Sequence, residues 1–318
     1  MRWSPYYCQF IKMTHPPSIL ILGAGELGTA VLEALASHPK RHNAPIAVLL
    51  RQSTIATQDP HKQKQNARLR SLGASLEAGD LADDSVAQLA DVFTRFHTVV
   101  SCSGFGLPPG TQTKLTQAVL QARTPRYVPW QWGIDYDVVG AGSAQDLFDE
   151  QLHVRALLRA QHRMHWLIVS TGLFTSFLFL PEFGVVDLAR RKVRALGSWE
   201  GRLSLTTASD IGRVAAELVF DPRDGEAGVV YVAGDTVTYR RVAELVRGRF
   251  GGEWAEEVWD EEFLRGELGK RPDDGMLKYT NVWAVGKGVA WDLECTVNRQ
   301  RGIEMQGLEG YLRDMPDL

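Results

Sequence analysis

The sequence predicts an α/β protein: a doubly wound parallel sheet followed by a smaller C-terminal substrate-binding lobe. Three observations carry that expectation. Apolar strand-like runs alternate with helical stretches from Ile19 to Ser170. A glycine-rich turn joins the first run to the first helix. After Phe174 the alternation gives way to shorter, less regular elements.

The first strand is Ile19-Leu20-Ile21-Leu22, which runs into Gly23-Ala24-Gly25-Glu26-Leu27-Gly28 and then a helix from Thr29 to Ala36. Gly23 permits a tight turn, Gly25 lets the backbone approach a pyrophosphate, and Gly28 lets the helix pack closely on the strand. The helix N-terminus, including the backbone at Glu26 and Leu27, would meet the phosphates with free N–H groups and its positive dipole end. Strand, turn and helix in this order make the GxGxxG pattern a Rossmann-type dinucleotide site.

The second strand, Ile46 to Leu50, ends in Arg51-Gln52-Ser53. A site that prefers NAD usually places a carboxylate here for the ribose 2′-hydroxyl. This chain offers Arg51 and Ser53 instead, and a guanidinium can grip phosphate oxygens bidentately. The cofactor expected is therefore NADP(H).

Ser75 to Ala78 reads as a third strand ending in Gly79-Asp80-Leu81, and Asp83, Asp84 and Ser85 offer caps to a helix running toward Phe93. Thr98 to Cys102 is the fourth strand, followed by Ser103-Gly104. Arg126 to Pro129 is the fifth, followed by Trp130-Gln131-Trp132-Gly133. A helix spans Ala144 to Ala160, and Trp166 to Ser170 is the sixth strand, ending at Thr171-Gly172. Ligands bind at the carboxyl ends of such strands. Asp80, Cys102, Ser103, Gly104, Trp130 and Gly172 should thus line the cofactor cleft.

In the second half, Val193 to Leu196 reads as a strand, Ile211 to Phe220 as a helix, and Val229 to Ala233 as a strand that rejoins the main sheet. The expected division is an N-terminal extension over 1–17, a dinucleotide-binding domain over 18–175, and a substrate-binding lobe over 176–318. The first 17 residues lack a continuous apolar core and make a poor secretory signal. The longest apolar stretch, Leu173 to Leu180, is too short to span a bilayer. A cytoplasmic location with no membrane partner is expected.

At 318 residues, 44% hydrophobic and 23% charged, the chain can bury a large core. Its net charge of −3, with no basic stretch interleaved with aromatics, argues against a nucleic-acid binder. Cys8, Cys102 and Cys295 are odd in number and far apart, which suggests reduced thiols. No HExxH or CxxC spacing occurs, so no metal is expected. The sequence leaves a homodimer open.

Taken together, these pieces resemble the NmrA-like atypical short-chain dehydrogenases. Within that group the chain is most similar to the plant isoflavone and phenylcoumaran benzylic ether reductases and to fungal CipA-type oxidoreductases. The likeness runs from about Ser18 to Val297. It rests on the glycine turn, Arg51-Gln52-Ser53, Gly79-Asp80-Leu81, Val128 to Gly133, Ala144 to Arg155, and Ser170 to Phe174. The resemblance implies an NADPH-dependent reductase that delivers hydride to an aromatic or conjugated small molecule of specialised metabolism. The alternatives are a non-catalytic NADP sensor, or a redox-neutral isomerase or cyclase that retains NADP.

The chain departs from the family at the acid–base group. Ordinary short-chain dehydrogenases use Tyr-x-x-x-Lys, and this sequence has none; four residues after Tyr136 stands Gly140. The plant reductases resemble one another in Lys-x-x-Val-Arg, and aligning Val154-Arg155 puts Gln151 at the lysine. Glutamine can orient a substrate but cannot exchange a proton near neutral pH. Gln151 shares a helical face with Leu147, Val154 and Leu158. His153 stands four residues after Asp149, which could hold it, but points about 200° away from Gln151. Tyr136 and Asp135 are the other groups considered for the proton, with water as an alternative. Trp130, Gln131, Phe174 and Phe177 are the expected substrate-binding residues, since a flat conjugated ligand suits an aromatic pocket.

Overall fold

The computed structural model describes residues 17–223 and 226–317. The expected N-terminal extension, with Cys8, lies outside the described residues except for Pro17. Thirteen strands are described, β1 to β13: Ile19–Leu22, Ile46–Leu50, Ala74–Ala78, Thr98–Ser101, Arg126–Val128, His165–Ser170, Leu173–Phe174, Val186–Asp187, Lys192–Leu196, Arg202–Thr206, Gly228–Tyr231, Asp235–Thr238 and Ala255–Trp259. The α-helices, α1 to α13, are Glu26–Ser37, Gln52–Ile55, Pro60–Ser71, Val86–Phe93, Thr111–Ala122, Tyr136–Val139, Asp146–Arg159, Ala208–Phe220, Tyr239–Phe250, Glu261–Lys270, Gly275–Val285, Val297–Arg301 and Leu308–Asp314.

Seven strands form one sheet in the order β11-β6-β5-β4-β1-β2-β3, every neighbouring pair parallel. The order reverses between β1 and β4, and that switch point opens a crevice at their carboxyl ends. The central strands are apolar on both faces because helices cover both. Ile19, Ile21, Val100 and Val169 face α1 and α8, whereas Leu20, Leu22, Val99 and Ile168 face α4, α5 and α7.

Two elements sit differently from the sequence reading. Helix α1 begins at Glu26, three residues before Thr29, so its first turn starts directly on the glycine loop. Helix α8, assigned from sequence to the C-terminal lobe, packs on α1 beside the main sheet through Ile211, Val214, Ala215 and Leu218. Gly212 makes that crossing close: a Cβ there would lie 2.4 Å from the Ala30 carbonyl oxygen.

Two three-stranded sheets, β12-β10-β7 and β13-β9-β8, adjoin a third hydrophobic cluster. This cluster draws on β9, β10, α9 and α11, with Trp283, Phe183 and Tyr239 among its fully enclosed members. It also takes in Tyr136 and Phe148, so the cluster reaches back to the ends of β5 and α7. Among the described residues no helix is long and apolar enough to cross a membrane.

Gly212→Ala should destabilise the fold by about 1–3 kcal/mol, since neither backbone can yield without moving a whole helix. Urea unfolding checks this; an unchanged midpoint would mean that α1 and α8 do not need their close approach.

Candidate functional site

The glycine turn has the geometry of an anion cradle. Gly23 adopts φ +98°, and a Cβ on it would lie 1.8 Å from Ser103 Oγ, so only glycine fits between the ends of β1 and β4. A Cβ at Gly28 would lie 2.2 Å from the Gly23 carbonyl oxygen, which lets α1 start tightly on the turn. Gly25 is exposed, with open space where a Cβ would be, and as N-cap it supplies no side chain to the helix. The first-turn N–H groups are thus left for a ligand, and a pyrophosphate fits them in charge and in space.

Arg51 and Ser53 lie just past β2, beside this turn, and both are exposed. A guanidinium there with no carboxylate in the strand-end position fits a 2′-phosphate. Leu27 is buried in the main-sheet core, so only its backbone is available to a phosphate. The Asp80 carboxylate accepts from the N–H groups of Ala82 (2.9 Å) and Asp83 (3.3 Å). It shapes its own turn. Cys102 is buried, and burial pushes its thiol well up, so it stays protonated. Gly104 meets Trp130 face to face: a Cβ there would lie 2.0 Å from the indole. Gly172, at φ +68°, is wedged against the Ser204 carbonyl, where a Cβ would come within 2.2 Å.

Beyond β5 the chain is held by a buried charge. Arg155, on α7, has no exposure to solvent. Its Nε donates to Gln131 Oε1 (2.8 Å), and Nη1 donates to Asp135 Oδ1 (2.9 Å) and Asp137 Oδ2 (2.6 Å). Its guanidinium also lies 5.3 Å from the centre of the Tyr136 ring. Asp135 accepts a second bond, from the Tyr231 hydroxyl at the end of β11 (2.5 Å). Burial, then the bond to Asp135, push the Tyr231 phenol up, so it remains a donor.

This network corrects the role expected for Gln131. It is fully buried, with Oε1 accepting from Arg155 and Nε2 donating to the Gln151 carbonyl (2.9 Å), so the amide is turned into the protein and away from a substrate. Gln151 is also fully buried, one turn before Arg155, and both ends of its amide lack a protein partner. So do Arg155 Nη2 and the hydroxyls of Ser101, Ser170 and Thr171. Ser101 and Ser170 lie two residues beyond Val99 and Ile168, so they stand on the same sheet face as α7. Unpaired polar groups are thus gathered at the carboxyl ends of β4 and β6.

His153 is exposed and is not brought to Gln151. The reason is helical geometry, and Asp149 does not hold it: that carboxylate accepts from the Gly142 N–H (2.9 Å). Tyr136 is buried, with its hydroxyl reaching toward Gly133, and burial, then nearby Tyr279, raise its phenol far above neutral pH. It can donate a hydrogen bond but is a poor base.

Aromatic rings form a wall across the cleft. Phe174 meets Phe177 edge-on at 6.1 Å, and Phe177 meets Phe105 at 6.4 Å and Tyr279 at 6.5 Å. Phe105 is 58% exposed on the loop after β4. Ser176, between the two phenylalanines, donates to Glu26 of the glycine turn (3.1 Å), so wall and turn touch. Sequence reasoning passed over Arg155, Tyr231, Phe105 and Tyr279. Arg155 had been visible only as the end of the Lys-x-x-Val-Arg likeness; Tyr231 lay within a strand read only as sheet, and nothing local marked Phe105 or Tyr279 as site residues. Among the described residues no cluster of three or more His, Cys, Asp or Glu could hold a metal ion.

Comparison with known proteins gives a consistent picture. Residues 17–278 match the model of the NmrA-like family. An NmrA-like family domain-containing oxidoreductase of Gibberella moniliformis is 52% identical over 300 residues, covering 94% of this chain and 98% of that protein. Among solved structures, AtPrR2 with NADP+ and (+)pinoresinol has a TM-score of 0.76 at 17% identity, covering 95% of this chain and 99% of that one. An isoflavone reductase has a TM-score of 0.75 at 19% identity, covering 94% and 99%. At these identities the two structures speak for the fold.

The ion-pair network predicts a pH dependence. Hydrogen bonding from Arg159, opposed by burial and reinforced by the charge of Arg155, holds the Asp137 carboxyl at about 2. A depressed folded-state pKa gives stability that is complete above the unfolded value, about 3.9, and is lost as pH falls through the folded one. Asp137→Asn should therefore flatten the fall in melting temperature between about pH 4 and 2; parallel curves for the two proteins would contradict this.

Proposed function

The chain belongs to the NmrA-like family, and on that premise we propose that it is an NADPH-dependent reductase acting on an aromatic or conjugated small molecule. The observation that carries this reading is the contact between Ser176 and Glu26, which sets the Phe174–Phe177 wall against the glycine turn. A pyrophosphate on that turn would bring the far end of the cofactor under the aromatic rings. The oxidoreductase name of the 52% identical relative and the NADP+ and pinoresinol held by AtPrR2 support the same reading.

In this reading the backbone of Gly23 to Gly28 binds the pyrophosphate, and Arg51 with Ser53 binds the 2′-phosphate. When bound, the reduced nicotinamide supplies the hydride. Trp130, flat on Gly104, supports the ring, and Phe105, Phe174 and Phe177 clamp a planar acceptor. The buried amide of Gln151 orients the acceptor oxygen once the pocket opens. Tyr136, whose hydroxyl reaches toward Gly133, can donate a hydrogen bond without ionising. The described residues beyond α8 that pack with this wall, Tyr279 first among them, form the substrate-binding side.

A second reading has its own support. Gln151 is sealed and the chain lacks Tyr-x-x-x-Lys, which suits an NADP sensor that binds the dinucleotide without turning it over. Stopped-flow absorbance at the NADPH band separates the two, mixing NADPH-loaded protein with a panel of conjugated phenolics and enones. Enzyme-dependent oxidation with any of them supports the reductase. Tight NADPH binding with no oxidation across the panel favours the sensor.

Cofactor choice has a separate test. Arg51→Ala should weaken NADPH by at least about tenfold and leave NADH within about twofold, because a charge-assisted contact to the 2′-phosphate exists only with NADPH. Fluorescence titration of both dinucleotides measures it, and equal losses would remove Arg51 from the phosphate site.

A further inference from the structure

The geometry points to Arg155 as a positioning residue that sets the nicotinamide floor through Gln131, without touching cofactor or substrate itself. The inference rests on the NADPH reading above. Arg155 donates through two nitrogens, Nε to Gln131 and Nη1 to both Asp135 and Asp137. The Gln131 contact is the one that points into the site. Gln131 follows directly on Trp130, whose indole lies against Gly104 between the ends of β4 and β5. With Oε1 fixed by Arg155 and Nε2 fixed on the Gln151 carbonyl, the Gln131 side chain cannot rotate, and the backbone that carries Trp130 is held with it.

The turn is tied on its far side as well. The Gly133 carbonyl accepts from the N–H groups of both Thr171 (2.8 Å) and Gly172 (3.0 Å), joining the end of β5 to the end of β6. The Trp132 indole N–H donates to the Ser101 carbonyl (2.8 Å), joining it to β4. Trp130 is therefore the partly exposed member of a segment whose next three residues are each anchored. Arg155 and the Gln151 carbonyl are the anchors that come from a helix rather than from the sheet, and Arg155 is the one carrying charge. Asp135 and its partner Tyr231 hold the guanidinium from the side away from Gln131. Lysine in its place would keep the charge, but with one nitrogen and no planar fork it could not serve Gln131 and both aspartates in these directions.

The readout is energy transfer from tryptophan to bound NADPH, because transfer depends on where Trp130 sits relative to the nicotinamide. Excitation of the indoles of the wild-type protein with NADPH alone should give sensitised nicotinamide emission, and the part that Trp130→Phe removes is the contribution of Trp130. Arg155→Lys and Gln131→Leu should bind NADPH within about threefold of wild type, since the phosphate contacts at Gly23 to Gly28 and Arg51 are untouched. Both should nevertheless lose at least about half of the Trp130 contribution, because Trp130 is no longer held. Gln131→Leu cuts the link while leaving Arg155 paired with both aspartates, so it reports even where Arg155→Lys unfolds. Emission in Gln131→Leu equal to wild type would overturn the proposal while leaving the NADPH reading intact. Emission left unchanged by Trp130→Phe would overturn it too, by removing Trp130 from the nicotinamide. A wild-type protein that fails to bind NADPH would overturn both.

Discussion

A guanidinium sealed from water imposes more on this molecule than any other single group. Arg155 has no exposed surface, and a buried charge is tolerable only when its field is answered by nearby carboxylates and well-placed acceptors. Asp135, Asp137 and Gln131 supply them, and their positions dictate the course of the chain from Trp130 to Val139. That stretch turns back over the carboxyl end of the sheet, where an unconstrained loop would have run outward. Removing one partner of such a pair costs about 3–5 kcal/mol, because the remaining charge is left uncompensated. The network is therefore a constraint on shape first, and a source of stability only through its completeness.

The cofactor side works by steric exclusion. Gly23, Gly28, Gly104 and Gly172 each stand where a methyl group would collide with backbone, a hydroxyl or an indole. Their common effect is to bring the ends of β1, β4, β5 and β6 together around one crevice. Gly25 has the opposite character, with open space beside it, as suits the point where a ligand approaches the chain. Close packing around an open spot is what a rigid binding turn needs.

The two sides meet through neutral groups. Cys102, Tyr136 and Tyr231 all keep their protons, each because burial disfavours the charged form. With the neutral amide of Gln151 buried beside them, the crevice offers hydrogen-bond donors and few proton carriers. The aromatic rings from Phe105 to Tyr279 add an apolar surface beside them.

The sequence by itself determined the strands of the main sheet and the glycine turn. These depend on local pattern: apolar runs of strand length, glycines at fixed spacing and a guanidinium one residue past a strand. The position of Gln151 on a helix face was legible for the same reason, since helical periodicity fixes neighbours four residues apart. Only the tertiary structure decided which side chains meet across long stretches of chain. Gln131 looked like a substrate ligand until Arg155, 24 residues later, was seen to occupy it. Tyr231 joins Asp135 across 96 residues, and Ser176 joins Glu26 across 150. The placement of α8 on α1 was hidden likewise, because an amphipathic helix announces that it will be buried and not against what. Local backbone preference is written residue by residue, whereas the pairing of buried polar groups is settled by the closed shape of the whole.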